Sequence, residues 1–289
     1  MKPEDVKKVG VIGCGLMGSG IVEVCARAEI DVTYVEATDD LVSEGRKRIE
    51  RSVGKAVERG KLPAEEGQAA LGRISGTTDF DTLSDADLVI EAVVENLEAK
   101  LEVFRTLDRV TRGDVILGSN TSSIPIVKLG AATGRADKVI GMHFFNPPPV
   151  MKLIELVRAL TTSDETEEFA RGFAERLGKV TVLSKDRAGF IVNLLLIPYL
   201  NGAVRMLEEG FATAEDIDAA VKLGLSHPMG PLELLDFVGL DTTLFIAEIL
   251  YEEFKIPEYA PPPLLKRMVE AGRLGRKSGR GFYDYTSER

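Results

Sequence analysis

The sequence predicts an α/β fold class followed by an all-helical C-terminal region, on three observations. Short β-rich runs alternate with helical segments from residue 6 to about residue 187. Several of these runs are continuously apolar, as strands are when helices cover both faces of a parallel sheet. From Ala188 onward the strand signals stop. The alternation reads as a doubly wound, mostly parallel sheet. The expected domains are therefore 1–187 and 188–289.

The strand candidates, in order, are Lys8–Gly13, Asp31–Glu36, Arg73–Thr77, Asp87–Ala92, Asp114–Gly118, Lys138–Phe145, Met151–Val157 and Lys179–Ser184. Between the sixth and seventh stands only Asn146 and three prolines, Pro147 to Pro149, with Val150. A connection this short folds the two runs back as an antiparallel pair, which gives the sheet an antiparallel edge. Gly189–Glu208 is apolar nearly all round, the pattern of a buried helix or one covered by a second subunit. Further helices are expected at Thr213–Leu223, Gly230–Phe237, Asp241–Phe254 and Pro263–Ala271. The closing stretch, Gly275 to Tyr285, is rich in Gly and basic side chains and reads as a loop that folds over something.

Composition excludes several function classes. The chain has 289 residues, 44% apolar and 28% charged, as a soluble globular protein has. No apolar run approaches the ~20 residues that span a bilayer. A net charge of −10 argues against broad contact with nucleic acid or anionic membrane. An anionic small ligand remains compatible, provided basic residues gather where it binds. Cys14 and Cys25 alone make neither a disulfide framework nor a four-ligand zinc site. No metal is expected, and the compartment expected is the reducing cytoplasm. The acidic start, Met1-Lys2-Pro3-Glu4-Asp5, leads straight into a strand and does not read as a signal or transit peptide.

The first strand runs into Gly13-Cys14-Gly15-Leu16-Met17-Gly18, and a helix continues through Ile21 to Cys25. Gly13 permits the tight turn, Gly15 lets a pyrophosphate approach the backbone, and Gly18 lets the helix pack on the strand. The helix N-terminus offers its N–H groups to the phosphates. Glu36 ends the second strand, eighteen positions after Gly18, where a carboxylate accepts from ribose hydroxyls. That charge repels a 2′-phosphate, and Ala37 to Asp40 include no Lys or Arg. The cofactor expected on this Rossmann-type unit is NAD.

Ligands of open α/β sheets sit beyond the carboxyl ends of the strands. Ser119-Asn120-Thr121-Ser122-Ser123 lies at that end of the fifth strand candidate, and His143 at that end of the sixth. Position does not choose among the clustered hydroxyls, and capping of the following helix explains them as well. For His143 there is more. A turn centred on Pro149 pairs residues equally far from it, and His143 lies six before it and Glu155 six after. A carboxylate opposite an imidazole fixes its tautomer and raises its basicity, which suits a general base near pH 7. His227 has no acidic partner at a helpful spacing and reads as structural. Asn193 stands in the apolar stretch Phe190–Leu196, where an unpaired amide would cost ~1–3 kcal/mol. A polar site at the domain junction would supply its partner, as would a neighbouring backbone group.

These segments together resemble the L-3-hydroxyacyl-CoA dehydrogenase family. The resemblance is carried by Gly13–Gly20, Glu91-Ala92-Val93-Val94-Glu95-Asn96, Ser119–Ser123, His143–Pro147 with Val150–Glu155, Gly189–Asn193, and Pro228–Pro231 with Leu234–Thr242. It runs from about Lys8 to Tyr285, and the length most resembles the bacterial 3-hydroxybutyryl-CoA dehydrogenases. It implies His143 as base, Glu155 as its orienting partner, and Ser122 and Asn193 at the substrate oxygen. For the cofactor it implies the glycine turn with Leu16 and Met17, together with Glu36, Glu95, Lys100, Ser122, Asn146 and Lys277. It places CoA contacts near Ser52, Arg59 and Ser122. Three positions depart from the family pattern. Glu36 stands for the usual Asp, Val22-Glu23 for the common Ala-Gln, and Pro148 for the more frequent Val.

The segment Glu44–Lys61 supports a CoA handle independently. Arg48, Arg51, Lys55 and Arg59 follow three- and four-residue spacing and form one helical stripe that would attract phosphates. Glu44, Glu50 and Glu58 are interspersed, so an ordinary solvated face is the competing reading. The expected activity is NAD-dependent oxidation of a short-chain (3S)-3-hydroxyacyl-CoA, with 3-hydroxybutyryl-CoA as substrate, and its reverse. One alternative is a β-hydroxyacid dehydrogenase acting on a free 3-hydroxy acid, though that family uses a catalytic lysine. Another is an NAD-binding structural or regulatory protein that has kept the fold, as some lens crystallins have. The apolar helix at 189–208 suggests a homodimer.

Overall fold

A computed structural model describes residues 2–286, arranged as two compact units, 1–187 and 188–289. In the first unit β1 (Lys8–Ile12), β2 (Asp31–Val35), β3 (Ile74–Thr77), β4 (Leu88–Glu91), β5 (Ile116–Ser119), β6 (Val139–Phe144), β7 (Leu153–Arg158) and β8 (Val180–Lys185) form one sheet. Their order is β3-β2-β1-β4-β5-β6-β7-β8. The first six run parallel, and the order reverses between β1 and β4, as in dinucleotide-binding sheets. The pair β6–β7 is antiparallel. It is not the last pair of the sheet, because β8 lies outside β7 and runs parallel to it.

The intervening helices are α1 (Leu16–Arg27), α2 (Asp39–Glu58), α3 (Ala64–Gly72), α4 (Leu97–Val110), α5 (Ile126–Gly130) and α6 (Asp164–Arg176). Local signals start them. Thr38, Asn96 and Ser163 each accept a backbone N–H of the first turn from the N-cap position. α2 therefore begins at Asp39, five residues before Glu44, and it ends at Glu58 with Arg59 as its C-cap. On one face of the sheet, Ile21, Cys25, Ile49, Val53 and Phe173 of α1, α2 and α6 close a core with Val9, Val32, Ile90 and Met142. On the other, α4 and α5 lie together, with Phe104, Leu107, Ile126 and Leu129 buried. Strand residues two apart share a face. Glu91 pairs with Ser119, Ser119 with Gly141, and His143 with Glu155, so the polar ends of β4 to β7 all point to the α4/α5 side.

The second unit is helical: α7 (Val192–Glu208), α8 (Ala214–Gly224), α9 (Pro231–Val238), α10 (Leu240–Phe254) and α11 (Pro263–Glu270). Leu200, Val204, Leu232, Leu235, Leu240 and Leu265 form its main core. α7 is not buried all round, since Leu195 is 71% exposed. The chain after α11 straps back onto α8 and α9. Asp236 accepts the N–H groups of Phe282 and Tyr283 and the hydroxyl of Tyr285, while Asp218 accepts the hydroxyl of Tyr283. Among the described residues, no helix is long and apolar enough to cross a membrane.

Candidate active site

The turn after β1 is built for an anionic ligand. Gly13 has φ 86°, and a Cβ there would lie 2.7 Å from the carbonyl oxygen of Ala92. Around Gly15, by contrast, a Cβ would meet nothing within 4 Å, so the backbone is open to a close approach. Gly15 is also the N-cap of α1 and supplies no side-chain cap. The first-turn N–H groups, from Leu16, Met17 and Gly18, therefore face outward unpaired within the helix. Arg48 braces the back of the turn, with Nη1 donating to the Cys14 carbonyl at 2.9 Å. Leu16 and Val94, on either side of the switch point, are 66% and 72% exposed. Exposed apolar groups beside a donor-lined turn suit a ligand with phosphates and flat rings. NAD fits this site.

Glu36 accepts the Cys14 N–H through Oε1 at 2.5 Å. The longer side chain thus reaches the glycine turn itself. Cys14 is buried, and burial, with the Glu36 charge adding to it, pushes its thiol up to about 12. It remains a protonated core side chain.

At the carboxyl end of β6, the register pairs His143 with Glu155, as equal distances from Pro149 require. Nδ1 of His143 lies 2.8 Å from Oε2 of Glu155. His143 is 7% exposed and Glu155 is fully buried. A carboxylate at Nδ1 keeps the proton there and the lone pair on Nε2, the tautomer a general base needs. The ring also packs on Phe145, with centroids 4.6 Å apart. Three further contacts hold this end in place. Asn120 Oδ1 accepts the Phe144 N–H at 2.9 Å, which ties the end of β5 to that of β6. Lys179 Nζ donates to the carbonyls of Pro148 and Met151 at 2.6 and 2.8 Å. Pro148 packs on α1 at Gly20, where a Cβ would come within 2.6 Å of its Cδ.

The hydroxyl cluster after β5 does not cap α5. That helix is capped by Asp186, whose two carboxylate oxygens accept the N–H groups of Ile126 and Val127 at 2.7 Å each. The cluster instead converges on Glu95. Oε1 of Glu95 takes the N–H of Ser122 at 2.9 Å, the N–H and hydroxyl of Ser123 at 3.1 and 2.8 Å, and the hydroxyl of Thr121 at 2.5 Å. The Ser122 hydroxyl lies 3.4 Å from the same oxygen. Burial pushes the Glu95 pKa up, but the Lys100 ammonium and the donors of Thr121, Ser123 and Ser122 outweigh it and hold the carboxyl below its usual range. Lys100, expected among the cofactor ligands, is 1% exposed and places its ammonium between Glu91 and Glu95.

The remaining expected residues are distributed along the chain. Asn146 is exposed at the start of the proline turn. Ser52 is exposed on α2, and Arg59 is exposed at its C-terminal end. Arg48, the first residue of the basic stripe, is withdrawn to the glycine turn, so the stripe is shorter than its spacing suggested. In the second unit, Asn193 is buried on the first turn of α7, and its N–H donates to the Gly189 carbonyl at 3.1 Å. Lys277 is ion-paired with Asp241. His227 is exposed and meets Tyr199 edge-on.

Sequence reasoning passed over Glu91, Ser119, Asp186 and Lys179. For Glu91 a signal existed: a carboxylate closing the otherwise apolar strand Leu88-Val89-Ile90 has to find a buried partner. Asp186 and Lys179 act on loops 59 and 31 residues away, which no local pattern reveals.

A reversing parallel sheet, a glycine turn open at Gly15 and an acidic residue directly after β2 define an NAD-dependent dehydrogenase, an oxidoreductase. The chain belongs to the 3-hydroxyacyl-CoA dehydrogenase family: the family's NAD-binding domain matches residues 8–187 and its C-terminal domain residues 189–285. It is 57% identical over 285 residues to the 3-hydroxybutyryl-CoA dehydrogenase of Mycobacterium tuberculosis (strain H37Rv), covering 97% of this chain and 99% of that protein. The crystal structure of M. tuberculosis FadB2 superposes with a TM-score of 0.96 at 56% identity, over 97% of this chain and 99% of the other. That of the (S)-3-hydroxybutyryl-CoA dehydrogenase PaaH1 from Ralstonia eutropha gives 0.92 at 45% identity, over 98% of this chain and the whole of the other.

Proposed function

We propose that the chain interconverts short-chain (3S)-3-hydroxyacyl-CoA and 3-ketoacyl-CoA, with 3-hydroxybutyryl-CoA as its substrate. The observation that carries this reading is the buried His143–Glu155 pair at the carboxyl end of β6, beside the hydroxyl cluster of β5. Nε2 of His143 takes the proton of the substrate hydroxyl, and Glu155 stabilises the imidazolium that results. Ser122 and Asn193 are assigned to the substrate oxygen. The bound NAD supplies the hydride acceptor. The glycine turn, Leu16 and Met17 bind its pyrophosphate, and Glu36 accepts from its ribose and disfavours a 2′-phosphate. Glu95, Lys100, Asn146 and Lys277 are assigned to the remainder of the cofactor, with Lys100 acting through Glu95. Ser52 and Arg59 are assigned to CoA, with Arg51 and Lys55 as neighbouring cations on α2. The roles of the units follow: 1–187 holds NAD, and 188–289 serves substrate binding and dimerisation.

The free-acid alternative calls for a catalytic lysine, and Lys100, which reaches the hydroxyl cluster through Glu95, is enclosed by two carboxylates. The deciding experiment is kcat/KM for C4 to C16 3-ketoacyl-CoA with NADH and NADPH, together with free acetoacetate. Turnover of acetoacetyl-CoA with NADH is the expected result, and turnover of acetoacetate alone overturns the assignment. A homodimer through the second unit is supported by Leu195 on α7, Leu223 on α8, and Phe211 and Leu225 beside them, each more than half exposed. Sedimentation at micromolar concentration reads it directly. A reducing cytoplasmic setting accords with both cysteines being buried and free.

A further inference from the structure

Glu91, the residue that ends β4, has no role in the reading above, yet it is 0% exposed and fully engaged. Oε1 accepts from Lys100 Nζ at 2.6 Å and from the Val93 N–H at 2.7 Å. Oε2 accepts from the hydroxyl of Ser119 at 2.7 Å, its register partner on β5. Lys100 Nζ then lies 3.2 Å from Oε2 of Glu95. The other oxygen of Glu95 gathers the donors of residues 121–123. A chain of contacts therefore runs from the end of β4, through one ammonium, to the loop that carries Ser122.

We propose that Glu91 is a positioning residue for the reaction: acting through Lys100 it fixes Glu95, and Glu95 fixes the 121–123 segment so that the Ser122 hydroxyl is held in place. The inference rests on the assignment of Ser122 to the site.

Three arguments carry it. First, the cluster sets a fully buried carboxylate and a second, 21% exposed, around one buried ammonium, an arrangement that an apolar replacement would avoid at lower cost. The geometry it imposes on its neighbours accounts for it. Second, the 121–123 segment has no helix of its own, and α5 takes its cap from Asp186. Glu95 is thus the acceptor that residues 121, 122 and 123 share, beside the local bonds of the Thr121 N–H to Ser119 Oγ and of the Ser123 and Ile124 N–H groups to Thr121 Oγ1. A Glu95 carboxylate swings on several rotatable bonds unless its partner is fixed. Third, Lys100 is fixed from the sheet side by Glu91, on a strand end held by hydrogen bonds to both neighbours. Glu91 itself, fully enclosed, touches no ligand and acts only through these contacts.

The test uses the full chain with Glu91→Gln, Glu95→Gln, the double variant and Glu91→Asp. Glu91→Gln keeps the shape and leaves Lys100 paired with Glu95. It should lower kcat for NADH-dependent acetoacetyl-CoA reduction by ~10–100-fold, the cost of an ångström-scale misplacement, with KM for acetoacetyl-CoA nearly unchanged. In the Glu95→Gln background it should add no further loss, because residues acting in series are not additive. Independently of turnover, amide hydrogen exchange in segment 119–124 should accelerate in Glu91→Gln while that of β1 and β2 stays as in the wild type. Retained kcat, losses that multiply in the double variant, or unchanged exchange at 119–124 each overturn the proposal. If Glu91→Gln does not fold, Glu91→Asp, which keeps the charge and withdraws the carboxylate from Lys100, carries the same test: it should lower kcat and speed exchange in that segment, and wild-type behaviour in both overturns the proposal. If the wild type itself does not reduce acetoacetyl-CoA, the functional assignment falls instead, and the exchange measurement alone decides whether Glu91 holds the loop.

Discussion

At the scale of single residues, the site depends on what stands behind each reactive group. His143 needs a partner at Nδ1 because a buried imidazole with a free choice of tautomer is a poor base. Glu155, fully buried, needs His143 equally, since an unpaired buried carboxylate is costly. The informative substitution is therefore His143→Gln, whose amide can still donate to Glu155. It should lower kcat by roughly 10²–10⁴ while the dissociation constant for NADH, read by fluorescence titration, stays near the wild-type value. Turnover within a factor of a few of the wild type would remove His143 from the role of base. Glu36 makes a second residue-scale case. Its Oε1 accepts the Cys14 N–H in the glycine turn, and the proposed function assigns its charge to the ribose. Glu36→Gln keeps the reach and removes the repulsion, so the ratio of kcat/KM with NADH to that with NADPH should fall by about tenfold or more. A ratio that does not move would place the source of selectivity elsewhere. Both residues were legible in the sequence because strand geometry converts spacing into position: equal distances from a turn set the first, and the end of the second strand sets the second. Glu91 and Ser119 were harder to read, because their meaning lies in a register between β4 and β5 that sequence spacing does not state.

At the scale of elements, the proline turn between β6 and β7 joins the end of β6, which carries His143, to α1. Pro148 sits against α1 where Gly20 leaves no side chain, and Lys179 ties the carbonyls of Pro148 and Met151 to the start of β8. Gly20→Ala would place a methyl within 2.6 Å of Pro148 Cδ, and both elements are held from behind. Overpacking of this kind costs typically ~1–3 kcal/mol. The expected outcome is a lower Tm by calorimetry together with a lower kcat, because the displaced turn carries the end of β6. A variant with wild-type Tm and kcat would show that the turn is free to give. Most strands were legible to within a residue or two, since apolar runs bounded by Gly and Asp leave little choice. α2 was read late, at Glu44, although Thr38 followed by Asp39 and Asp40 is an N-cap with an acidic first turn. The seventh strand also starts later than its composition suggests, at Leu153, because the Met151 N–H is still bonded to the Pro147 carbonyl within the turn. The place of β8, beyond β7, was not legible at all: an apolar run announces a strand but not its neighbour.

At the scale of the whole molecule, the two-unit division followed a change of periodicity that the sequence displays openly, whereas the buried charge network at the carboxyl ends of β4 and β5 did not show itself. That network makes the stability of the first unit depend on pH in a definite direction. Burial favours protonation of Glu95, but Lys100 and the donors from Thr121, Ser123 and Ser122 prevail and hold its pKa below the ordinary value of 4.5. A carboxylate with a lowered folded pKa binds its proton more weakly in the folded state than in the unfolded one. Its contribution to stability is therefore complete above the unfolded pKa and disappears as pH falls through the folded one. Glu95→Gln removes the titration while keeping the shape, so the difference in Tm between wild type and variant isolates this carboxylate from the many others. That difference should be constant from pH 8 down to about 5.5 and should narrow steadily below about 4.5. A gap that persists unchanged to pH 3 would mean that Glu95 is not stabilised by its ion pair. A gap that closes between pH 7 and 6 would assign the titration to a different group, since a carboxylate held below 4.5 has no proton to gain there.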